Sequence, residues 1–322
     1  MISLKKDTQV RNWEELQSKL YEGSWQEGLE RFRSPFAFRG IANADLHPTT
    51  TLSRLGGKYD QREQSLLRNF RKYAHRNAVH IDSLWNWLAL AQHHGLPTRL
   101  LDWTFSPYVA LHFATVDILE WSSPAAIWCV DLLKIKRHLP QKLKLLLKEE
   151  DSDVLTIEML DRAAPTLASF EKLSPKPFVA FFEPPSLDDR IVNQSALFSV
   201  MSRASGQLKD WLYVHPDLFH RIIVPAALKR EIRDKLDQAN VNERVLFPGL
   251  DGLSQWLTRY YSPNIEREQE ALLTRRQGPM MIDTKLRASE RAHSETTQYA
   301  LKRRGGCNRK ADRKSNGRAR AS

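Results

Sequence analysis

QHHGLPTRLLDWT at residues 92–104 is the stretch on which the reading of this chain turns. It closes one helix, turns, and leads into a second that starts within TFSPYVALHFA at 104–114. Gly95 suits the left-handed position just past a helix C-terminus, and Pro97 keeps that helix from resuming. Ser106 and Pro107 read as the N-cap and first helical residue of the next one. Gln92, His93, Thr98, Arg99, Asp102 and Thr104 set hydrogen-bonding groups close together beside apolar anchors. A loop that merely connects two helices has no use for that density. The 95–104 segment is therefore expected to bring donors and acceptors together on a ligand.

Working outward, the pattern alternates between helix and strand without repeats. Residues 10–33 read as a helix with Trp13, Leu16, Leu20, Trp25 and Leu29 on one side and a break near Gly23. SPFAFRG at 34–40 reads as a short strand entering a tight glycine turn. Helical spacing recurs at 61–78, 83–94 and 107–121, the last apolar on nearly every side. AAIWCVDL at 125–132 reads as a buried strand, and 134–153 as a charged segment, helical after Pro140. FVAFFEP (178–184), ALFSVMS (196–202), WLYVH and HRIIVP read as later strands, the first two separated by a Pro-Asp-Asp turn. Helices follow at 226–238 and 253–261. Early helices and mostly late strands predict a single α+β domain with a mixed sheet.

Composition sets outer bounds. The chain has 322 residues, 41% of them apolar, with nine Trp and thirteen Phe, enough to build a buried core. Two cysteines, Cys129 and Cys307, make no disulfide framework and point to a reducing, cytoplasmic setting. The N-terminus lacks the apolar core of a signal peptide, and no stretch approaches the ~20 apolar residues of a membrane span. No membrane partner is expected. Residues 266–322 hold 15 basic and 7 acidic residues, so +8 of the formal +11 lies there. That segment, within a tail taken as 263–322, lacks apolar periodicity and is expected to be disordered. It is either a solvated extension or a nonspecific contact for nucleic acid by counterion release.

Several chemistries drop out. Gly56-Gly57-Lys58 lacks the spacing of a phosphate loop, and there is no GxSxG elbow. No His or Cys pair has zinc-ligand spacing beyond the adjacent His93 and His94, so no metal is expected. Cys129, in an apolar strand, reads as an inert core residue.

The remaining blocks are FAFRG (36–40), REQSLLRNF (62–70), WLALAQHHGLPTRLLDWTFSPYVALHFA (87–114), DDRIVNQSALFSV (188–200), HRIIVP (220–225) and VLFPGLDGLSQWL (245–257). In this order they resemble the FRG domain family, over about 220 residues from near Trp13 to near Tyr260. The resemblance sets the domain at 34–262, with 1–33 as its N-terminal helical segment. It departs from the family at Gln194-Ser195-Ala196, where the usual pattern has glycine two residues after the glutamine. Phage defence or bacterial stress is the setting the resemblance implies.

A second, more remote resemblance is one of order. Arg39, the Thr104–Ser106 segment running into Ala110, Phe113 and Ala114, and Gln194 follow the Arg–Ser–Glu arrangement of ADP-ribosyltransferases. It implies an ADP-ribosyltransferase-like fold, NAD as substrate, Arg39 on its pyrophosphate, and a carboxylate beside the ribosyl cation. No acidic residue stands at 194–198, so Asp102, Glu183 or Asp189 would have to replace the glutamate.

The candidate site follows. His93, Asp102 and Gln194 are the candidate catalytic residues. Arg39, Gly40, Gln92, Thr98, Arg99 and Thr104 are the candidate ligand-binding residues, with Trp103 and Phe198 as the pocket wall. Each has a structural alternative. Arg39 pairs with Asp102 instead of a ligand, Arg99 caps carbonyls near 93–95, and His93 and Gln194 satisfy neighbouring backbone. Trp87 and Trp103 are core aromatics as readily as walls. Three functions stay open: an NAD-dependent transferase or glycohydrolase, a noncatalytic nucleotide- or RNA-binding module, and a scaffold with no pocket.

Overall fold

A computed structural model describes residues 7–74 and 81–262. The expected disorder of the basic tail, and the last residues of the helix expected at 61–78, lie outside these. Strand β1 (Asp7–Gln9) leads into helix α1 (Trp13–Leu20), capped by Asn12. Leu16 and Leu20 are its buried face. The helix expected to reach residue 33 stops here. Gly23 takes a left-handed φ of 73°, and a small hairpin of β2 (Trp25–Gln26) and β3 (Arg31–Phe32) follows with Trp25, Leu29 and Phe32 exposed.

The FRG triplet lies inside β4 (Phe36–Ile41). Gly40 is not in a turn: it sits in mid-strand opposite Ile127. Short α2 (Thr51–Arg54) and long α3 (Tyr59–Tyr73) precede α4 (Leu84–His93), whose cap is Ser83. α4 ends as its sequence requires. Gly95 has φ 79°, its N–H bonds the Gln92 carbonyl at 3.0 Å, and Leu96 N–H bonds that of Ala91 at 2.9 Å, closing a Schellman motif.

Leu100–Thr104, expected to be loop, is strand β5, paired along its length with a later strand. Its residues alternate: Leu101 and Trp103 enter one core, Leu100 another, and Asp102 faces outward from the latter side. Ser106 caps α5 (Pro107–Thr115), which is shorter than expected because Asp117 starts a new turn by capping Leu119.

β6 (Ala125–Asp131) is buried at every position. Burial pushes the Cys129 thiol well above its ordinary pKa, which suits an inert core residue. The charged segment splits at Pro140 into α6 (Leu132–His138) and α7 (Gln141–Glu149). Then follow β7 (Leu155–Thr156), α8 (Ile157–Ala163), α9 (Leu167–Glu171) and β8 (Val179–Glu183). The expected Pro-Asp-Asp turn contains a helix, α10 (Asp189–Asn193), capped by Asp188. β9 (Ala196–Met201) comes next.

WLYVH is also not a strand. It lies mainly in α11 (Leu208–Val214), because Leu208 and Leu212 are the buried pair and stand at helical spacing. β10 (Phe219–Val224), α12 (Lys229–Gln238), α13 (Glu243–Leu246) and α14 (Leu250–Tyr261) complete the unit.

The fold is α+β. Eight strands form one mixed sheet in the order β1-β10-β6-β4-β5-β9-β8-β7, parallel only at the two outer pairs β1/β10 and β7/β8. One face carries a continuous core through Ala37, Trp103, Trp128, Phe181, Leu197 and Phe219. The other face carries two. Phe38, Ile127, Cys129 and Ile222 pack with α1, α5 and α12; Leu100, Phe198, Val200 and Phe182 pack with α4, α8 and α9. The seam between those two cores runs along β4 and β5. There the sheet is thin: β4 and β5 share a single residue pair, Phe38 with Thr104, whereas β4 and β6 share six.

Candidate functional site

A cleft of about 270 Å3 opens at this seam. Its floor comes from three strands, through Phe38 and Gly40 of β4, Asp102 and Thr104 of β5, and Ala196 and Phe198 of β9. Gln92 and His93 at the end of α4 form one wall, Phe113 of α5 another, and Arg190, Ile191 and Gln194 a third. A scaffold without a pocket does not describe this arrangement.

Arg39 bridges the split. Beyond Phe38 and Thr104 the two strands no longer pair, and the Arg39 guanidinium fills the gap by donating from Nη1 to the main-chain oxygen of Asp102. The expected partnership with Asp102 therefore runs to its backbone, not its carboxylate. Arg39 Nε is buried without a partner. This leaves hydrogen-bonding capacity on a half-buried cation at the cleft, and an unmet buried donor is costly unless something else satisfies it.

The Asp102 carboxylate is exposed to the cleft and held from behind. Thr98 Oγ1 donates to Gln92 Oε1 at 2.5 Å, which orients the amide so that Gln92 Nε2 donates to Asp102 Oδ2 at 2.8 Å. Asp102 Oδ1 has no partner among the described residues. Thr98 is itself buried and does not reach the cleft. It acts through Gln92, not on a ligand.

His93 is also oriented from behind. Its Nε2 lies 2.8 Å from Asp188 Oδ2, and the other Asp188 oxygen caps α10 at Ile191 N–H. Burial holds the imidazole below its ordinary pKa, against the pull of Asp188, which favours the neutral ring at pH 7. Asp188 carries no functional signal in the sequence, where it reads only as part of a turn.

Other residues were expected at the site and do different work. Arg99 does not line this cleft: it is buried against Glu63, with Nε 2.8 Å from Oε1 and Nη1 donating to the Ser202 carbonyl. It caps no carbonyl near 93–95 either. Gly40 borders the cleft, but what it supplies is space, because a Cβ there would meet the backbone of α5. Trp103 borders the cleft while its ring is buried on the opposite face against Phe181, with Nε1 donating to Ser199 Oγ. Trp87 is core. Phe198 does face the cleft, joined by Phe38, Phe113 and Ile191. Gln194 lines it, yet its Nε2 is committed to the Leu246 carbonyl at 2.9 Å and its own carbonyl accepts from Thr104 Oγ1. The two other candidate carboxylates stand elsewhere: neither Glu183 nor Asp189 lines the cleft. The left-handed residue beside Gln194 is Ser195, at φ 45°, while Ala196 simply begins β9.

Among comparisons with known proteins, residues 34–122 match the family model of the FRG domain. The chain carries an FRG domain. No curated protein and no solved structure matches the chain. The FRG domain match contains Arg39, Gly40, Gln92, His93, Asp102, Thr104 and Phe113, so it supplies two floor strands and two walls of the cleft. The third wall and β9 come from beyond it. Among the described residues no helix is long and apolar enough to cross a membrane, and no cluster of His, Cys, Asp or Glu is arranged to hold a metal ion.

Proposed function

We propose that this FRG-domain protein acts on a nucleotide of the NAD type, cleaving the bond between nicotinamide and ribose as a glycohydrolase or ADP-ribosyltransferase. The observation that carries this reading is the Asp102 carboxylate: half-tied by Gln92, open to the cleft, and beside the Arg39 guanidinium. A fixed carboxylate in a partly enclosed site stabilises the positive charge that develops on a ribosyl carbon as its C–N bond breaks. Arg39 matches a phosphate oxygen pair with its planar fork. The leaving group departs with the bonding electrons, water or an acceptor nucleophile takes its place, and neutral His93 accepts the nucleophile's proton. An effector role in stress or phage defence rests on the family resemblance alone.

Full-length protein incubated with NAD should release nicotinamide. Asp102→Asn should lower that rate by roughly 10²–10³ without lowering Tm, since the amide keeps the size of the side chain. No release by the parent protein, or equal release by the variant, would refute the reaction. A parent protein that binds ADP-ribose and cleaves nothing would be a noncatalytic binding module instead.

Arg39→Lys separates charge from shape. Lysine keeps the charge and loses the fork. ADP-ribose affinity should fall by about 1.5–3 kcal/mol, measured calorimetrically, while the protein stays folded. If binding falls only in step with the unfolded fraction, Arg39 is a strand tie and nothing more.

A further inference from the structure

Arg99, Arg221, Arg233 and Arg259 are each buried or nearly so, and each is paired with a carboxylate. Arg190 is different. It lines the cleft from α10, across from β4, and no carboxylate or carbonyl receives its guanidinium among the described residues. What holds it is an aromatic face: its guanidinium carbon stands 5.0 Å from the centre of the Phe247 ring. A guanidinium held over an aromatic face is positioned without using its N–H donors.

The wall carrying Arg190 is anchored. Asn193 Nδ2 donates to the Val245 carbonyl at 2.8 Å and Gln194 Nε2 to that of Leu246, so α10 is tied to the segment that presents Phe247. Arg190 also lies close enough to His93 for its charge to weigh against imidazole protonation. The cleft thus has two guanidinium groups without carboxylate partners, Arg39 at the floor strand β4 and Arg190 on the wall from α10, and one carboxylate, Asp102.

We propose that Arg190 is a second anion-binding arm of this cleft and that, with Arg39, it selects a ligand carrying a diphosphate over one carrying a single phosphate. This rests on the nucleotide reading above and narrows its substrate class. Each guanidinium takes one phosphate of the pair, and Phe247 positions the second arm.

Full-length protein and its Arg190→Gln variant are titrated with ADP-ribose and with ribose 5-phosphate. The parent should bind ADP-ribose more tightly. Arg190→Gln should lose roughly 10- to 100-fold in ADP-ribose affinity, with ribose 5-phosphate binding and Tm unchanged. Phe247→Leu should weaken ADP-ribose binding in the same direction. Equal ADP-ribose affinity in parent and Arg190→Gln would overturn the second arm, as would an equal loss for both probes. If the parent binds neither probe, this inference and the nucleotide reading fall together. If ADP-ribose binding depends on Arg190 but NAD is not cleaved, the reaction falls and the second arm stands.

Discussion

Gly40→Ala should be among the most damaging single-methyl additions this chain can receive. A Cβ at Gly40 would lie 1.8 Å from the Ala110 carbonyl oxygen and 2.7 Å from Ala114 N, both backbone atoms of α5. No flexible side-chain end is present to yield. Either α5 lifts off β4 or β4 bows away from it, and both moves break the core in which Ala110, Leu111 and Ala114 pack on Phe38 and Ile127. Overpacking a core costs about 1–3 kcal/mol when side chains can shift. With backbone as the obstacle the loss should reach at least about 3 kcal/mol, a fall in Tm of roughly 6–12 °C or more. Thermal denaturation followed by circular dichroism measures it. A variant that melts with the parent would mean that β4 and α5 do not approach this closely.

Glu63→Gln should come next. Glu63 and Arg99 are 2% and 7% exposed, and the Glu63 carboxylate accepts from both Nε and Nη2 of the guanidinium. The amide removes the negative charge and leaves Arg99 buried with only the Ser202 carbonyl as acceptor at full strength. Breaking a buried pair from one side costs about 3–5 kcal/mol, or roughly 6–20 °C in Tm for a unit of this size. Replacing both partners with apolar residues of similar volume, as in Glu63→Leu with Arg99→Met, should recover much of the loss because no unpaired charge remains. If Glu63→Gln melts with the parent, Arg99 is not buried against Glu63. If the double variant is as unstable as the single one, the cost is packing rather than charge.

These two residues also show how far local reading reaches. The helix end at Gly95 and the start at Ser106-Pro107 were legible because a left-handed glycine and an N-cap followed by proline are decided by their own backbones. Arg99 was misplaced because its partner is 36 positions away in α3. A guanidinium beside a conspicuous loop looks the same in sequence whether it meets a phosphate or a glutamate. In sequence Gly40 reads as a turn because glycine after an apolar strand usually marks one, and nothing local reports that a helix 70 residues later lies against it. LLDWT reads as loop because Asp102 and the preceding Gly-Leu-Pro dominate the local signal. Its period-2 alternation becomes decisive only when β9 pairs with it.

Alone, the sequence determined the α+β class, the FRG domain, the caps that bound the central helices, and the density of polar groups at 92–104. All depend on contacts within a few residues or on short motifs. Only the tertiary structure decided which of those groups share a cleft. Arg39 enters it by bridging two strands that part after one residue pair, Asp102 by being tied through Gln92 to Thr98, and Arg190 by stacking on Phe247. Each of these placements depends on at least one contact between separate elements, and a side chain's partner across a fold is set by how the sheet and helices pack, which no local pattern encodes.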